Sequence, residues 1–252
     1  MAQSAVGRLR VSDIGGHPLK EGGWFRRGLV FRISGGLVGA ADLAHLEAIG
    51  LRVLVDLRGP EENRRVLEDW AHSQGVHYEL LPMSFGNPAE LAAEMAAHGL
   101  SEEQGRAYLQ TIYRRILDDF QEQLVGALTA IASHQPVGFG CAAGKDRTGL
   151  LTALLQDVLG VERPAIIAGY VSQAPDPDRL LEAISTWWDW EEGDLTKPGL
   201  GAIVAAVEEV IVEALDYLDD RYGGARGYFE SAGLPAETVD ELRLRLVADE
   251  PD

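Results

Sequence analysis

The stretch that most constrains this chain is Pro136 to Leu155, PVGFGCAAGKDRTGLLTALL, which reads as strand, loop and helix within twenty residues. Pro136, Val137 and Phe139 form the short apolar run that ends a buried strand, and Leu150 to Leu155 opens an apolar, proline-free run long enough for a helix. The loop between them carries the only cysteine of the chain, Cys141, six residues before Arg147, with Gly144 between and Thr148-Gly149 directly after. Backbone N–H groups of a loop that opens a helix can converge on a phosphate, and the helix dipole favours the anion. The positive end of a helix and neighbouring cations, here Lys145 and Arg147, favour the thiolate, which is the nucleophilic form of cysteine. Arg147 adds a planar fork that can hold two phosphate oxygens, more strongly as charge moves during transfer.

Other readings of the same glycines fit less well. A Walker-type loop needs glycine five residues before the Gly-Lys pair and a hydroxyl residue after it, whereas Phe139 and Asp146 occupy those places. Gly138-x-Gly140-x-x-Ala143 satisfies the short form of a dinucleotide fingerprint, but it lacks a clear βαβ unit and an acidic residue at the end of a later strand. A lone cysteine is often a buried structural thiol. A glycine-flanked loop holding Lys145, Asp146 and Arg147 is a poor core site, which favours the chemical reading.

Cys141 followed by GKDRTG in this register resembles the signature of the atypical tyrosine-phosphatase-like enzymes of bacteria and fungi, and the likeness runs along most of the chain. Asp13 to Gly16 match the end of that family's Asn-x-Arg-Asp-x-Gly-Gly motif, and Phe31-Arg32-Ile33-Ser34 stands where it has Tyr-Arg-Ser. Asp56-Leu57-Arg58 with Glu61 repeats its Asp-Leu-Arg and later Glu, and Gly233-Leu234-Pro235 matches its C-terminal region. Family members act on phosphotyrosine, other phosphoamino acids or phosphoinositides. The resemblance implies that Asp146, beside Arg147, protonates the leaving group, with Asp56 in reserve, because the segment Met83 to Pro88 contains no Asp. Gly140 departs from the family, which has a histidine there that shapes the loop and stabilises the thiolate; Gly140→His is expected to raise activity or to lower the pH at which the thiolate forms. Gly169, Tyr170 and Ser172 keep only part of the family's Asp-Tyr-x-x-Ser.

At 252 residues, 46% of them hydrophobic, the chain is long enough for a full core and is expected to form one domain over 1–252. It has no run of eighteen apolar residues, and MAQSAVGRLR lacks the apolar centre of a secretion signal, so a cytoplasmic protein without stable membrane insertion is expected. One cysteine excludes an internal disulfide and an internal resolving thiol. A formal charge of −18 argues against nucleic acid or an anionic membrane as partner, since clustered Lys and Arg hold both. The six histidines show no metal-binding spacing, and neither a metal nor another cofactor is expected.

Strands are predicted over Gly28–Ser34, Leu51–Leu57 and Val76–Pro82, with Asp56 and Arg58 where the second of them should reach the carboxyl edge of a sheet. Helices are predicted over Ala41–Ile49, Arg163–Tyr170 and Ile203–Tyr222, with a last pair from Tyr228 to Leu246 broken at Gly233-Leu234-Pro235. Apolar spacing from Tyr113 through Ile131 predicts one long helix over Tyr108–Ser133. The Ala- and Glu-rich segment 86–107 reads as a helical lid or insertion. Trp187, Trp188 and Trp190 fall on different helix faces and read as packing or a partner contact rather than a ligand cage.

The expected fold is thus α/β, cysteine-phosphatase-like, with a small, largely parallel sheet flanked by helices. Cys141, Arg147 and Asp146 are the candidate catalytic residues. Ala142, Ala143, Gly144, Lys145, Arg147 and Thr148 are the candidate phosphate cradle. Arg32 either meets the phosphate or stabilises the fold, and Asp56, Arg58 and Glu61 form either an ion-pair network or part of the catalytic machinery. Lys145 beside Arg147 either suits a substrate with more than one phosphate or serves the cysteine. The function read from these residues is hydrolysis of phosphomonoesters, phosphotyrosine first and other phosphoamino acids or phosphoinositides as further candidate substrates, through a thiophosphate intermediate. Two rivals stand beside it: a phosphate-binding module or pseudophosphatase, motivated by Gly140 and the missing loop Asp, and a nucleotide-binding enzyme using Gly138 to Gly144.

Overall fold

The computed structural model describes residues 11–35, 40–84, 101–178, 180–181 and 198–251. Its main sheet has five strands in the order β1 (Val11–Asp13), β4 (Val30–Ser34), β7 (Val137–Cys141), β5 (Val53–Asp56) and β6 (His77–Leu80). Strands β4, β7, β5 and β6 run parallel, and only β1 is antiparallel, pairing Val11 with Ile33 and Asp13 with Phe31. The parallel strands therefore end on one edge, where Ser34, Asp56 and Cys141 lie side by side. The Asp13 motif lies at the opposite end of β4, where Asp13 accepts from the N–H groups of Gly15 and Gly28.

The strands alternate between two apolar clusters, as strands buried on both faces must. In β5, Val53 and Val55 enter the larger cluster while Leu54 enters the smaller. The smaller is closed by α1 (Ala40–Ile49) and α2 (Arg65–Gln74), through Leu46, Leu67, Trp70 and Ala71. The larger draws on residues from Ile14 to Leu246 and carries the remaining helices. These are α3 (Glu102–Asp119), α4 (Gln121–Ser133), α5 (Asp146–Leu159), α6 (Arg163–Ser172), α7 (Pro198–Val204), α8 (Glu208–Tyr222), α9 (Ala225–Ser231) and α10 (Ala236–Leu246). A second, antiparallel sheet of β2 (His17–Pro18), β3 (Trp24–Phe25) and β8 (Val247–Ala248) ties the end of α10 to the N-terminal region. The expected α/β architecture with a largely parallel sheet flanked by helices is the one observed.

Two predicted helices are divided. The expected helix over Tyr108–Ser133 is α3 and α4, separated at Phe120 with φ −122° and ψ 33°. Apolar spacing runs on across the break because both helices lay their apolar faces on the same core, through Ile116 and Leu117 on one side and Leu124 and Leu128 on the other. α3 also starts earlier than predicted. Ser101 and Gln104 form a reciprocal capping box, at 3.3 Å and 2.8 Å, that satisfies orphan N–H groups of the first turn. The expected helix over Ile203–Tyr222 likewise divides into α7 and α8, with residues 205–207 non-helical. Of the predicted lid, 101–107 belongs to the start of α3, while 86–100 lies outside the described residues, as do Trp187, Trp188 and Trp190. Among the described residues no helix is long and apolar enough to cross a membrane.

Candidate active site

The site is built where β7 ends and α5 begins. Residues 142–145 connect Cys141, the last residue of β7, to Asp146, the first of α5. Gly144 turns this loop at φ 66°, and a Cβ there would lie 2.5 Å from Ser34 Oγ, so both the backbone angle and the space require glycine. A loop can converge its N–H groups on an anion only if its carbonyls are held elsewhere. Arg32, buried in β4, takes the Gly144 carbonyl at 2.5 Å and also donates to Gln173 Oε1 at 3.2 Å. Ala143 packs against the small apolar cluster of Leu180 and Val204.

Cys141 is buried, and Thr148 addresses it twice. The Thr148 hydroxyl accepts from the Cys141 N–H at 2.9 Å and donates to the sulfur at 3.2 Å. Its place on the first turn of α5 thus directs the hydroxyl to the cysteine, so the side chain that sequence assigns to the phosphate cradle meets the sulfur. Arg147, also on that turn, is held by Glu62 through two bonds: Nη1 to Oε2 at 2.6 Å and Nη2 to Oε1 at 2.8 Å. Nη1 further donates to the carbonyls of Leu57 and Met83. Burial alone would lower the Arg147 pKa, but the Cys141 sulfur, Glu62 and Asp146 together raise it, so the guanidinium stays charged. Glu62, not Glu61, is the acid that orients the fork; Glu61 accepts from Ser84 Oγ at 2.8 Å. Only adjacency to Glu61 pointed to Glu62 in the sequence.

Asp56 and Arg58 form one buried pair. Asp56 Oδ1 accepts from Arg58 N and Nε, and Oδ2 accepts from Arg58 Nη2 at 2.6 Å and from Tyr78 Oη at 2.7 Å. Arg58 goes on to the carbonyls of Gly35 and Asn63. Burial would lower the Arg58 pKa, yet the bond and charge of Asp56 prevail and raise it. These residues brace the edge loops after β4 and β5 around the cysteine loop.

Lys145 does not extend the cradle outward. Its ammonium is 1% exposed as a residue, donates to the carbonyls of Ile203 and Ala205, and lies 3.1 Å from Asp146 Oδ1. Two of the ammonium's three donors go to those carbonyls, and the ion pair with Asp146 holds the charge inward. Asp146 remains partly exposed beside the loop and also receives the Tyr113 hydroxyl at 3.2 Å.

Gly140 has a steric cause. A Cβ at this position would lie 2.2 Å from the Ile33 carbonyl oxygen of the adjacent strand, so β4 and β7 approach as they do only because position 140 has no side chain. The histidine expected to improve the loop cannot enter without moving a strand.

A cysteine and an arginine six residues apart on a strand-to-helix loop, the sulfur met by a hydroxyl and the guanidinium fixed by a carboxylate, form an arrangement suited to cysteine-dependent phosphoryl transfer. The chain belongs to the tyrosine phosphatase family, whose model matches residues 10–248, and it is accordingly a phosphatase. A tyrosine-protein phosphatase of Nostoc commune is 29% identical over 216 residues, covering 82% of this chain and 69% of the relative. The triple specificity protein phosphatase PtpB of Mycobacterium tuberculosis is 28% identical over 234 residues, 81% of this chain and 84% of the relative. Among solved structures, the core catalytic domain of the PP-IP phosphatase SIW14 from S. cerevisiae is similar at 16% identity, covering 70% of this chain and 93% of its own, with a TM-score of 0.39.

Proposed function

We propose that this chain hydrolyses phosphomonoesters of phosphotyrosine and related phosphoamino acids through a phosphocysteine intermediate on Cys141. The observation that carries the reading is the pairing of Cys141 with Thr148 at 3.2 Å and of Arg147 with Glu62 at 2.6 Å on the same helical turn. Arg147 holds two phosphoryl oxygens while the Cys141 thiolate attacks phosphorus. The P–O bond to the leaving group breaks, and Asp146 gives that oxygen its proton. Water then attacks phosphorus, the P–S bond breaks, and the Asp146 carboxylate takes the proton that the water releases.

The state of Lys145 bears on the substrate class. With its ammonium turned to Ile203, Ala205 and Asp146, it offers nothing to a second phosphate, which favours singly phosphorylated side chains over phosphoinositides bearing several. The relatives' names, a tyrosine-protein phosphatase and a triple specificity protein phosphatase, support the class. Steady-state turnover of a phosphotyrosine peptide, a phosphoserine peptide and soluble phosphoinositide headgroups tests it. The highest kcat/KM is expected on the phosphotyrosine peptide, and a preference that climbs with the number of phosphates on the headgroup would overturn the assignment.

A further inference from the structure

Asp146 is not held by its own loop alone. Tyr113, on α3 and fully buried, places its hydroxyl 3.2 Å from Asp146 Oδ1 and 2.7 Å from the Tyr170 hydroxyl of α6. Lys145 Nζ reaches the same Oδ1 at 3.1 Å. A phenol has one hydrogen to donate, and an Asp oxygen that carries no proton can only accept. The chain therefore has one direction: Tyr170 donates to Tyr113, and Tyr113 donates to Asp146. The rings of Tyr113 and Tyr170 meet edge to face at 84°, with centroids 6.3 Å apart, so the hydroxyls are fixed by packing of two helices.

Among the described residues both contacts on the Asp146 carboxyl fall on Oδ1, so Oδ2 is the oxygen left to carry a transferable proton. We infer that Tyr113 is the positioning residue for Asp146, fixing the carboxyl with Oδ1 inward so that Oδ2 presents its proton to the leaving oxygen, with Tyr170 fixing Tyr113 in turn. This rests on the reading of Asp146 as the proton donor. Once the proton has gone, the carboxylate keeps the Tyr113 hydroxyl and the Lys145 ammonium at Oδ1 while Oδ2 accepts from the attacking water, so the same contact serves both halves of the reaction. Burial first, then Tyr170 and Asp146, hold the Tyr113 phenol protonated far above its usual range, as a permanent donor must be.

The test uses two aryl phosphates, one with a weakly acidic phenol as leaving group and one with a strongly acidic phenol that departs without protonation. Tyr113→Phe keeps the ring and removes the bond. It should lower kcat on the weakly acidic phenol about tenfold to a hundredfold, the range for losing one bond to a charged group, with a much smaller fall on the other ester and little change in KM. Asp146→Asn should show the same discrimination more strongly, and adding Tyr113→Phe to it should give no further leaving-group dependence. Equal falls on both esters for Tyr113→Phe, with Asp146→Asn still discriminating, would overturn the positioning role and leave the donor intact. Absence of discrimination in Asp146→Asn itself would overturn the donor assignment and the inference with it. Should Tyr113→Phe lower the unfolding midpoint enough to obscure the kinetics, Tyr170→Phe removes the outer hydroxyl alone and is expected to give the same discrimination at smaller size; equal falls there would count against the chain.

Discussion

Replacing Gly140 by alanine tests whether the close approach of β4 and β7 shapes this site. The added Cβ would sit 2.2 Å from the Ile33 oxygen and 3.0 Å from its carbonyl carbon, whereas ordinary contact begins at 3.4 Å. The obstacle is backbone, so it cannot rotate aside; the strands must part by about 1 Å, which takes a ladder hydrogen bond from good geometry to poor. The upper part of the overpacking range plus about one net hydrogen bond gives a loss of about 3 kcal/mol. For a chain of this size that is a fall in Tm of about 6–12 °C. Urea and thermal unfolding of Gly140→Ala measure it, with Gly169→Ala as control. Gly169 lies within α6 with open space at its Cβ position, so alanine there should raise stability by about 0.5–1 kcal/mol. Histidine at 140 meets the same oxygen with a larger side chain and should cost at least as much as alanine. A loss below about 0.5 kcal/mol for Gly140→Ala would refute the steric argument and restore histidine as a compatible residue.

Glu62→Gln removes the charge that fixes Arg147 through two bonds, and kcat/KM on an aryl phosphate should fall about tenfold to a hundredfold in steady-state assays. Asp56→Asn breaks a buried pair with Arg58 and should destabilise the fold by about 3–5 kcal/mol in urea unfolding, with equal loss on esters of strongly and weakly acidic phenols. Stability should also depend on alkaline pH. Tyr113 and Tyr170 have phenol pKa values raised by burial first and by the nearby Asp146 among other neighbours, while unfolded tyrosine ionises near pH 10. Their contribution is therefore complete below about pH 10 and is lost as pH rises beyond it, toward the folded values. Unfolding midpoints should therefore hold level from about pH 8 to 9 on their account and fall from about pH 10 to 11, and Tyr113→Phe should flatten that fall.

The sheet edge was legible because β-branched and apolar runs with charged ends mark Val53–Asp56 and Val137–Cys141 locally. That Cys141, Asp146 and Arg147 come together was legible for the same reason: their spacing along one loop and helical turn is itself the geometry. What sequence could not supply was the direction of long side chains. Lys145 reads as a cation serving either a second phosphate or the cysteine, yet a four-carbon stem lets it turn to carbonyls of Ile203 and Ala205, about sixty positions away. Glu61 and Glu62 differ by one position, and only the path of the loop after Arg58 decides which meets Arg147. Tyr113 lies at core spacing on an amphipathic helix, so its hydroxyl carries no signal until Asp146 and Tyr170 are placed beside it. Gly140 read as a departure from a motif, because the neighbouring strand that excludes a side chain lies more than a hundred residues earlier.

The central claim is that phosphorus passes through the Cys141 sulfur. Rapid acid quench of the protein with an aryl phosphate, followed by peptide mass spectrometry, measures this directly. The mechanism predicts one phosphoryl group on the peptide carrying Cys141, formed within the first turnover, more abundant in Asp146→Asn if water attack is slowed, and absent in Cys141→Ser, which should turn over no substrate while still binding vanadate. Undiminished turnover by Cys141→Ser, or a phosphoryl group on any other residue, would contradict it.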